Sequence, residues 1–153
     1  MKKLQVLLVA AVYCLAGIAA EPTSSWILST SGKMNMKSIS FGISNARIVL
    51  ENGKVLKLPI DQLSSYSVDG KIFNKMPLYK YGRPSGDMVF MELIGKRGEL
   101  SFYRYDSFNF ESVKPHDTVT NYAIYNGDKL HLALTNETLE NVCKYFGLQL
   151  AYK

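Results

Sequence analysis

His116 and His131 are the only histidines, and Cys14 and Cys143 the only cysteines, so metal or thiol chemistry would have to be built from very few side chains. Structural zinc sites gather nitrogen and sulfur donors at short spacing, as in His-x-x-x-His or Cys-x-x-Cys. Neither spacing occurs here, and the sequence is read as having no metal and no cofactor. Cys143 with His131 as its base would make a nucleophile if the thiolate were accessible and the imidazole within hydrogen-bond reach. The neighbours of Cys143 favour a packed thiol instead. Leu139, Val142, Cys143 and Phe146 recur at helical spacing as one apolar stripe, and free cysteine is among the most buried side chains. Ser64 and Ser65 lack the Gly-x-Ser-x-Gly turn that exposes a hydrolase nucleophile. No catalytic residue is assigned.

What the sequence offers is aromatic surface. It holds 10 tyrosines and 7 phenylalanines, concentrated in the stretch GKRGELSFYRYDSFNF from Gly95 to Phe110. On a strand, Leu100, Phe102 and Arg104 share one face while Ser101, Tyr103 and Tyr105 share the other. Tyrosine and phenylalanine are strand formers, and such stripes commonly fill interiors. The alternative is a groove for an apolar or sugar ligand, where tyrosine supplies a flat ring with a polar tip. Tyr79, Tyr81, Arg83, Tyr103 and Tyr105 are the candidate ligand- or partner-contacting residues on that reading. Glu92 and Arg104 fall on neighbouring strands and face the same way if Gly95 to Gly98 forms the turn, which reads as a cross-strand ion pair.

These side chains are positioned by a succession of hairpins. Asn52-Gly53, Asp69-Gly70 and Asn126-Gly127 each lie between apolar, β-branched runs, the pattern expected of type I′ turns joining antiparallel strands. Phe90 to Phe102 repeats it with a longer glycine-bounded turn. An earlier pair is expected from Trp26 to Thr30 and Met34 to Phe41 around Ser31-Gly32. Tyr81 to Asp87, with two glycines and a proline, reads as a loop, and so does Ser112 to Thr118. One helix closes the chain over about 136–146. Thr135 and Asn136 are its cap candidates, and this reading also accounts for the sequon Asn136-Glu137-Thr138. Gly147 stands where the helix should end.

Lys2 and Lys3, the apolar run Leu4 to Ala16 and the small residues Gly17 to Ala20 have the order of a secretory leader. The expected organisation is a leader over 1–20, cleaved after Ala19 or Ala20, and a single β-rich domain over 21–153. Tyr13 before Cys14 departs from the lipoprotein pattern, and the apolar run is shorter than the roughly 20 residues of a spanning helix. The product is read as periplasmic or extracellular, with neither a lipid nor a stable transmembrane anchor. Losing a leader with two lysines and no acid lowers the formal charge from +5 to +3. The remaining charges are scattered, which argues against nucleic acid as a partner. Cys143 is then the sole cysteine, so no internal disulfide is expected.

The runs LENGKVLKLPIDQLSSYSVDGKIFNKMPLYK, VFMELIGKRGELSFYRYD and LTNETLENVCKYFG resemble a group of uncharacterised small exported β-rich proteins of Gram-negative gut-type bacteria. The resemblance implies envelope location and a β-rich fold, and it transfers no site residue. The expected fold class is mainly β: an antiparallel curved sheet or partly closed barrel of hairpins with one C-terminal α-helix. The order of elements is also similar to that of a pleckstrin-homology-like barrel. The functional expectation is a non-catalytic exported envelope protein that binds an unknown small ligand or envelope protein. A periplasmic hydrolase using dispersed acids or a serine, and a structural or assembly component, are the competing readings.

Overall fold

A computed structural model describes residues 24–108 and 118–148. The leader over 1–20, His116 and the expected loop at 112–118, apart from Thr118, lie outside the described residues. The strands are β1 (Trp26–Ser29), β2 (Gly32–Phe41), β3 (Asn45–Leu50), β4 (Val55–Pro59), β5 (Leu63–Val68), β6 (Lys71–Lys80), β7 (Arg83–Arg97), β8 (Leu100–Phe108), β9 (Thr118–Asn126) and β10 (Lys129–Leu134), followed by the helix α1 (Asn136–Phe146). All ten strands form one sheet in the order β10-β9-β8-β7-β6-β5-β1-β2-β3-β4, with every neighbouring pair antiparallel. The protein is therefore mainly β, with an open sheet whose edges are β4 and β10. The barrel analogy does not hold, because β4 and β10 do not pair.

Topology alone forces the sheet to fold over. β4 and β5 are separated by β3, β2 and β1, which in a flat sheet would hold them about 19 Å apart. Only the short 3-10 turn Ile60–Gln62 joins them, and the four peptide steps from Pro59 to Leu63 span at most about 14 Å. The bend is made in β2. Its first half pairs with β1 from Gly32 to Asn35 and its second with β3 from Met36 to Phe41. At the junction the register shifts and Lys37 is left over, a β-bulge that lets one strand serve two layers. The extra residue also reverses the alternation, so that Met36 and Ile39 both point inward. They enclose a core of Ile27, Met36, Ala46, Ile48 and Leu63, backed by Tyr66, Val68 and Phe90. The folded-over layer is fastened by the Ile60 N–H to the Ser44 carbonyl at 3.0 Å, the Thr30 N–H to the Gln62 carbonyl at 3.0 Å, and Lys75 Nζ to the Ile60 carbonyl at 2.9 Å.

Turn chemistry explains most boundaries and corrects some expectations. Asp69 and Gly70 both have positive φ, 52° and 76°, the type I′ geometry expected of that dipeptide. At Asn52-Gly53 only the glycine is left-handed. The Gly53 N–H reaches the Leu50 carbonyl at 2.9 Å, so a type I turn ending in a left-handed glycine replaces the I′ turn. Asn126 pairs with Lys129, which makes Gly127-Asp128 the turn; Gly127 takes the positive φ at its first position, as in type II′. The β7–β8 turn is likewise Gly98-Glu99, because Arg97 pairs with Leu100. Gly95 belongs to the strand.

The helix matches its expected span. Thr135 is the cap: its N–H donates to Thr138 Oγ1 at 3.1 Å, and the two hydroxyls lie 3.3 Å apart. Gly147, at φ 71°, closes the other end while the Leu148 N–H returns to the Cys143 carbonyl at 2.9 Å. Leu139, Val142, Cys143, Phe146 and Leu148 pack on Phe102 and Ile124. Gly95 admits the helix end, since a Cβ there would lie 3.4 Å from Leu148 Cδ1 and 3.6 Å from Phe146 Cδ1. Arg97 secures the same end, with its guanidinium 4.0 Å above the Tyr145 ring and hydrogen-bonded to the Tyr145 carbonyl.

Candidate functional site

The tyrosines singled out from the sequence divide into two environments. Strand alternation puts Leu93, opposite Tyr103, on the sheet face away from the helix. Tyr103 is paired next with Ala123. Both Tyr103 and Tyr125 are buried, at 4% and 1% exposure, with rings edge-on at 5.6 Å. The Tyr103 hydroxyl accepts a hydrogen bond from Asn74 Nδ2 at 3.0 Å, and the Tyr125 hydroxyl donates to the Pro77 carbonyl at 2.8 Å. For Tyr125 on β9 to reach Pro77 on β6, the sheet must curve toward this face. Met76 and Met91 fill the concavity, with Tyr79 and Tyr105 half-buried at its margin. Tyr79 meets Tyr125 edge-on at 6.1 Å. Tyr103 thus fills and hydrogen-bonds the interior, whereas Tyr79 and Tyr105 retain some access to solvent.

Burial raises the pKa of Tyr125 and Tyr105 above the ordinary 10.0, and raises Tyr66 with the Glu92 charge contributing. A phenol whose folded pKa lies above its unfolded one stabilises the fold fully below the unfolded value. That contribution is lost as pH rises toward the folded pKa. Stability is therefore expected to decline above about pH 10, by up to about 1.4 kcal/mol per pH unit for each tyrosine that ionises only on unfolding. Chemical denaturation at stepped pH, with phenolate absorbance as a second signal, checks this. A stability unchanged through that window would overturn the buried-tyrosine assignment.

The β6–β7 connection differs from the expected loop over Tyr81 to Asp87. Lys80 pairs with Arg83, leaving a two-residue turn of Tyr81 and Gly82 at φ 52° and 75°, after which β7 begins at once. Pro84 is tolerated in the strand because this end of β7 has no β8 partner in the register. Ser85 and Gly86, within the expected loop, form a bulge instead: Gly86 has φ 85°, Ser85 Oγ donates to the Leu78 carbonyl at 3.0 Å, and the Asp87 N–H donates to Ser85 Oγ at 3.2 Å. Lys80 and Asp87 pair at 3.4 Å. The hairpin tip presents Tyr81 fully exposed, with Arg83 exposed beside it.

On the opposite sheet face a single register row runs Ile27, Tyr66, Phe73, Glu92, Arg104, Tyr122. The expected Glu92–Arg104 pair is formed, but through a bulge. A regular hairpin around Gly98-Glu99 would set Leu93 opposite Arg104, and the extra Ile94 moves Glu92 into place. Glu92 also meets Lys71 at 3.8 Å, with only 13% of its side chain exposed. Burial disfavours the Arg104 charge, but the hydrogen bond and charge of Glu92, with help from Tyr122, outweigh it and raise its pKa. Phe41, from the folded-over layer, lies 5.3 Å from Tyr66 and 5.4 Å from Phe90, and Tyr66 stacks on Phe73 at 4.7 Å. Sequence reasoning missed this cluster; Phe41 and Phe90 are far apart in the chain and meet only through the fold of β2.

No family model matches the chain, and no curated protein or solved structure matches it either. The chemistry rests on the residues themselves. Among the described residues no group of three or more His, Cys, Asp and Glu side chains converges as a metal site. No described helix is long and apolar enough to cross a membrane. Burial raises the Cys143 thiol pKa, and its neighbours are Phe102 and Ile124. His131 is the bulged residue of β10 and lines a separate hollow with Asn126, Asp128, Lys129 and Leu130. The half-buried Glu92 is engaged by two cations. Exposure and backbone geometry single out Tyr81 and Arg83 among the sequence candidates.

Proposed function

We propose that this chain is a non-catalytic binding protein of the bacterial envelope, and that it meets its partner through Tyr81 and Arg83 at the β6–β7 tip. Export is supported by the tripartite order of residues 1–20 and by the resemblance to small exported proteins. The observation that carries the contact site is the conformation of Tyr81. A bulky side chain in the left-handed region costs about 1–2 kcal/mol relative to the right-handed one, and a ring 104% exposed gains nothing from packing to offset it. Strain at such a position is a pointer to function. Tyrosine and arginine together are also the residues that most often anchor protein interfaces.

Two measurements separate this reading from a structural one. Tyr81→Asn would give Asn-Gly, the dipeptide best suited to a type I′ turn, and should stabilise the protein by about 1 kcal/mol while abolishing partner contact. A photo-cross-linking residue at position 81 or 83, in the native host envelope, should yield one discrete adduct. The same residue at Glu99, on the exposed β7–β8 turn, should give none. Adducts of equal yield from all three positions, or none from the tip, would sink the proposal. So would a destabilised Tyr81→Asn, because it would show that the ring contributes to folding.

A further inference from the structure

The folded-over layer carries a second feature that the hairpin tip does not involve. Arg47 on β3 stands directly opposite Lys57 on β4 in the register, and both are exposed. Like charges facing each other on paired strands are destabilising. None of the ion pairs among the described residues engages either one, nor does any side-chain hydrogen bond described for the fold. The pair opens onto a hollow of about 360 Å³ lined also by Ser40, Phe41, Gly42, Ile43, Ser44 and Asn45. No acid lines it. Ser40 pairs with Arg47 on the other side, so hydroxyl, guanidinium and ammonium groups stand in one cross-strand row.

Beside the cations the hollow has one open apolar side chain, Ile43. Ile43, in the β2–β3 turn, is fully exposed at 106%, whereas the Phe41 ring turns to the other face and packs on Tyr66 and Phe90. That turn is tight: the Gly42 N–H donates to the Asn45 carbonyl at 2.8 Å, and a Cβ on Gly42 would come within 3.3 Å of the same oxygen. The hollow thus has a cationic, hydroxyl-bearing floor and a short apolar rim.

The geometry points to a binding site for an oxyanion-bearing amphiphile, a molecule with a phosphate, sulfate or carboxylate head and a short apolar tail. Arg47 suits the head because the planar guanidinium donates a fork of N–H groups to paired oxyanion oxygens. Lys57 adds a point charge, and Ser40, Ser44 and Asn45 supply neutral polar groups. Ile43 takes the tail. Occupancy relieves the repulsion between the facing cations, which accounts for two like charges being set opposite one another.

The test uses octyl phosphate as probe on the full mature chain, with inorganic phosphate and octyl glucoside as controls, followed by calorimetry. Octyl phosphate should bind, inorganic phosphate more weakly, and octyl glucoside not measurably. Arg47→Gln combined with Lys57→Gln should weaken octyl phosphate at least tenfold and leave the melting midpoint unchanged or higher. Ile43→Ser should weaken octyl phosphate while leaving inorganic phosphate alone, which keeps the test decisive should the double variant fold poorly. Phosphatidylcholine vesicles with and without phosphatidylglycerol distinguish the source of the head group. Binding to the anionic vesicles that needs Arg47 and Lys57 assigns it to a lipid, and octyl phosphate binding without vesicle binding assigns it to a free amphiphile. No binding of octyl phosphate, equal binding of octyl glucoside, or binding indifferent to all these substitutions would overturn the inference.

Discussion

Tyr125→Ala should lower the unfolding free energy by about 3–5 kcal/mol, the range for truncating a large buried aromatic. Domains of this size are stable by only about 5–15 kcal/mol, so the variant is expected to stand close to global unfolding at ambient temperature. Tyr125 is 1% exposed, it touches the rings of Tyr79 and Tyr103, and its hydroxyl bonds the Pro77 carbonyl two strands beyond its neighbour. Tyr125→Phe isolates the last contribution. It keeps the ring and leaves the Pro77 carbonyl without its donor, for a loss of about 1–3 kcal/mol. Tyr105→Ala, at the half-buried margin, should have a smaller effect than Tyr125→Ala. Urea denaturation followed by circular dichroism measures all three. A Tyr125→Ala protein as stable as the parent would mean that the concave face is not a packed interior, and the tyrosines would return as candidates for a ligand-binding wall.

That ordering bears on how far the sequence could be read. Alternation correctly separated Tyr103 and Tyr105 from Phe102 and Arg104, because the period of a strand is set by local backbone geometry. The helix was legible to its ends, since Thr135, the apolar stripe and Gly147 are all local signals. Asp69-Gly70 was legible for the same reason. The bulges were not. Lys37, Ile94 and His131 are each the extra residue in a register, and nothing in the residue type marks them. Their consequences are large: the bulge at Lys37 lets β2 fold one layer over another, and that at Ile94 decides which residue meets Arg104. The direction of sheet curvature was also hidden, so alternation could not say that Tyr103 would be enclosed while Tyr81 would stand clear. At the proposed contact site the residues were named from the sequence, but the reason to single out Tyr81 came from its φ, which a loop assignment could not supply.

The second large effect concerns the helix. Phe102→Ala is expected to lower stability by about 3–5 kcal/mol, and to do so unevenly across the molecule. Phe102 is fully buried between Ile124 and α1, with its ring 5.5 Å from Phe146 and 5.8 Å from Tyr122. The helix has 11 residues, below the roughly 12–15 at which an isolated helix begins to hold in water, so its structure depends on this docking. The core of Ile27, Met36, Ala46, Ile48 and Leu63 is a separate cluster that does not include Phe102. Native-state hydrogen exchange on Phe102→Ala should therefore show the amides of α1 losing protection first, at a free energy below that of β1–β4. Equal loss of protection in the helix and in β1–β4 would mean that the sheet and helix unfold as one unit. Arg97 gives an internal control, since it holds the Tyr145 carbonyl and ring from the β7 side. If Arg97→Ala alone releases α1 as completely as Phe102→Ala does, the helix is held by that charged contact and not by the aromatic layer beneath it.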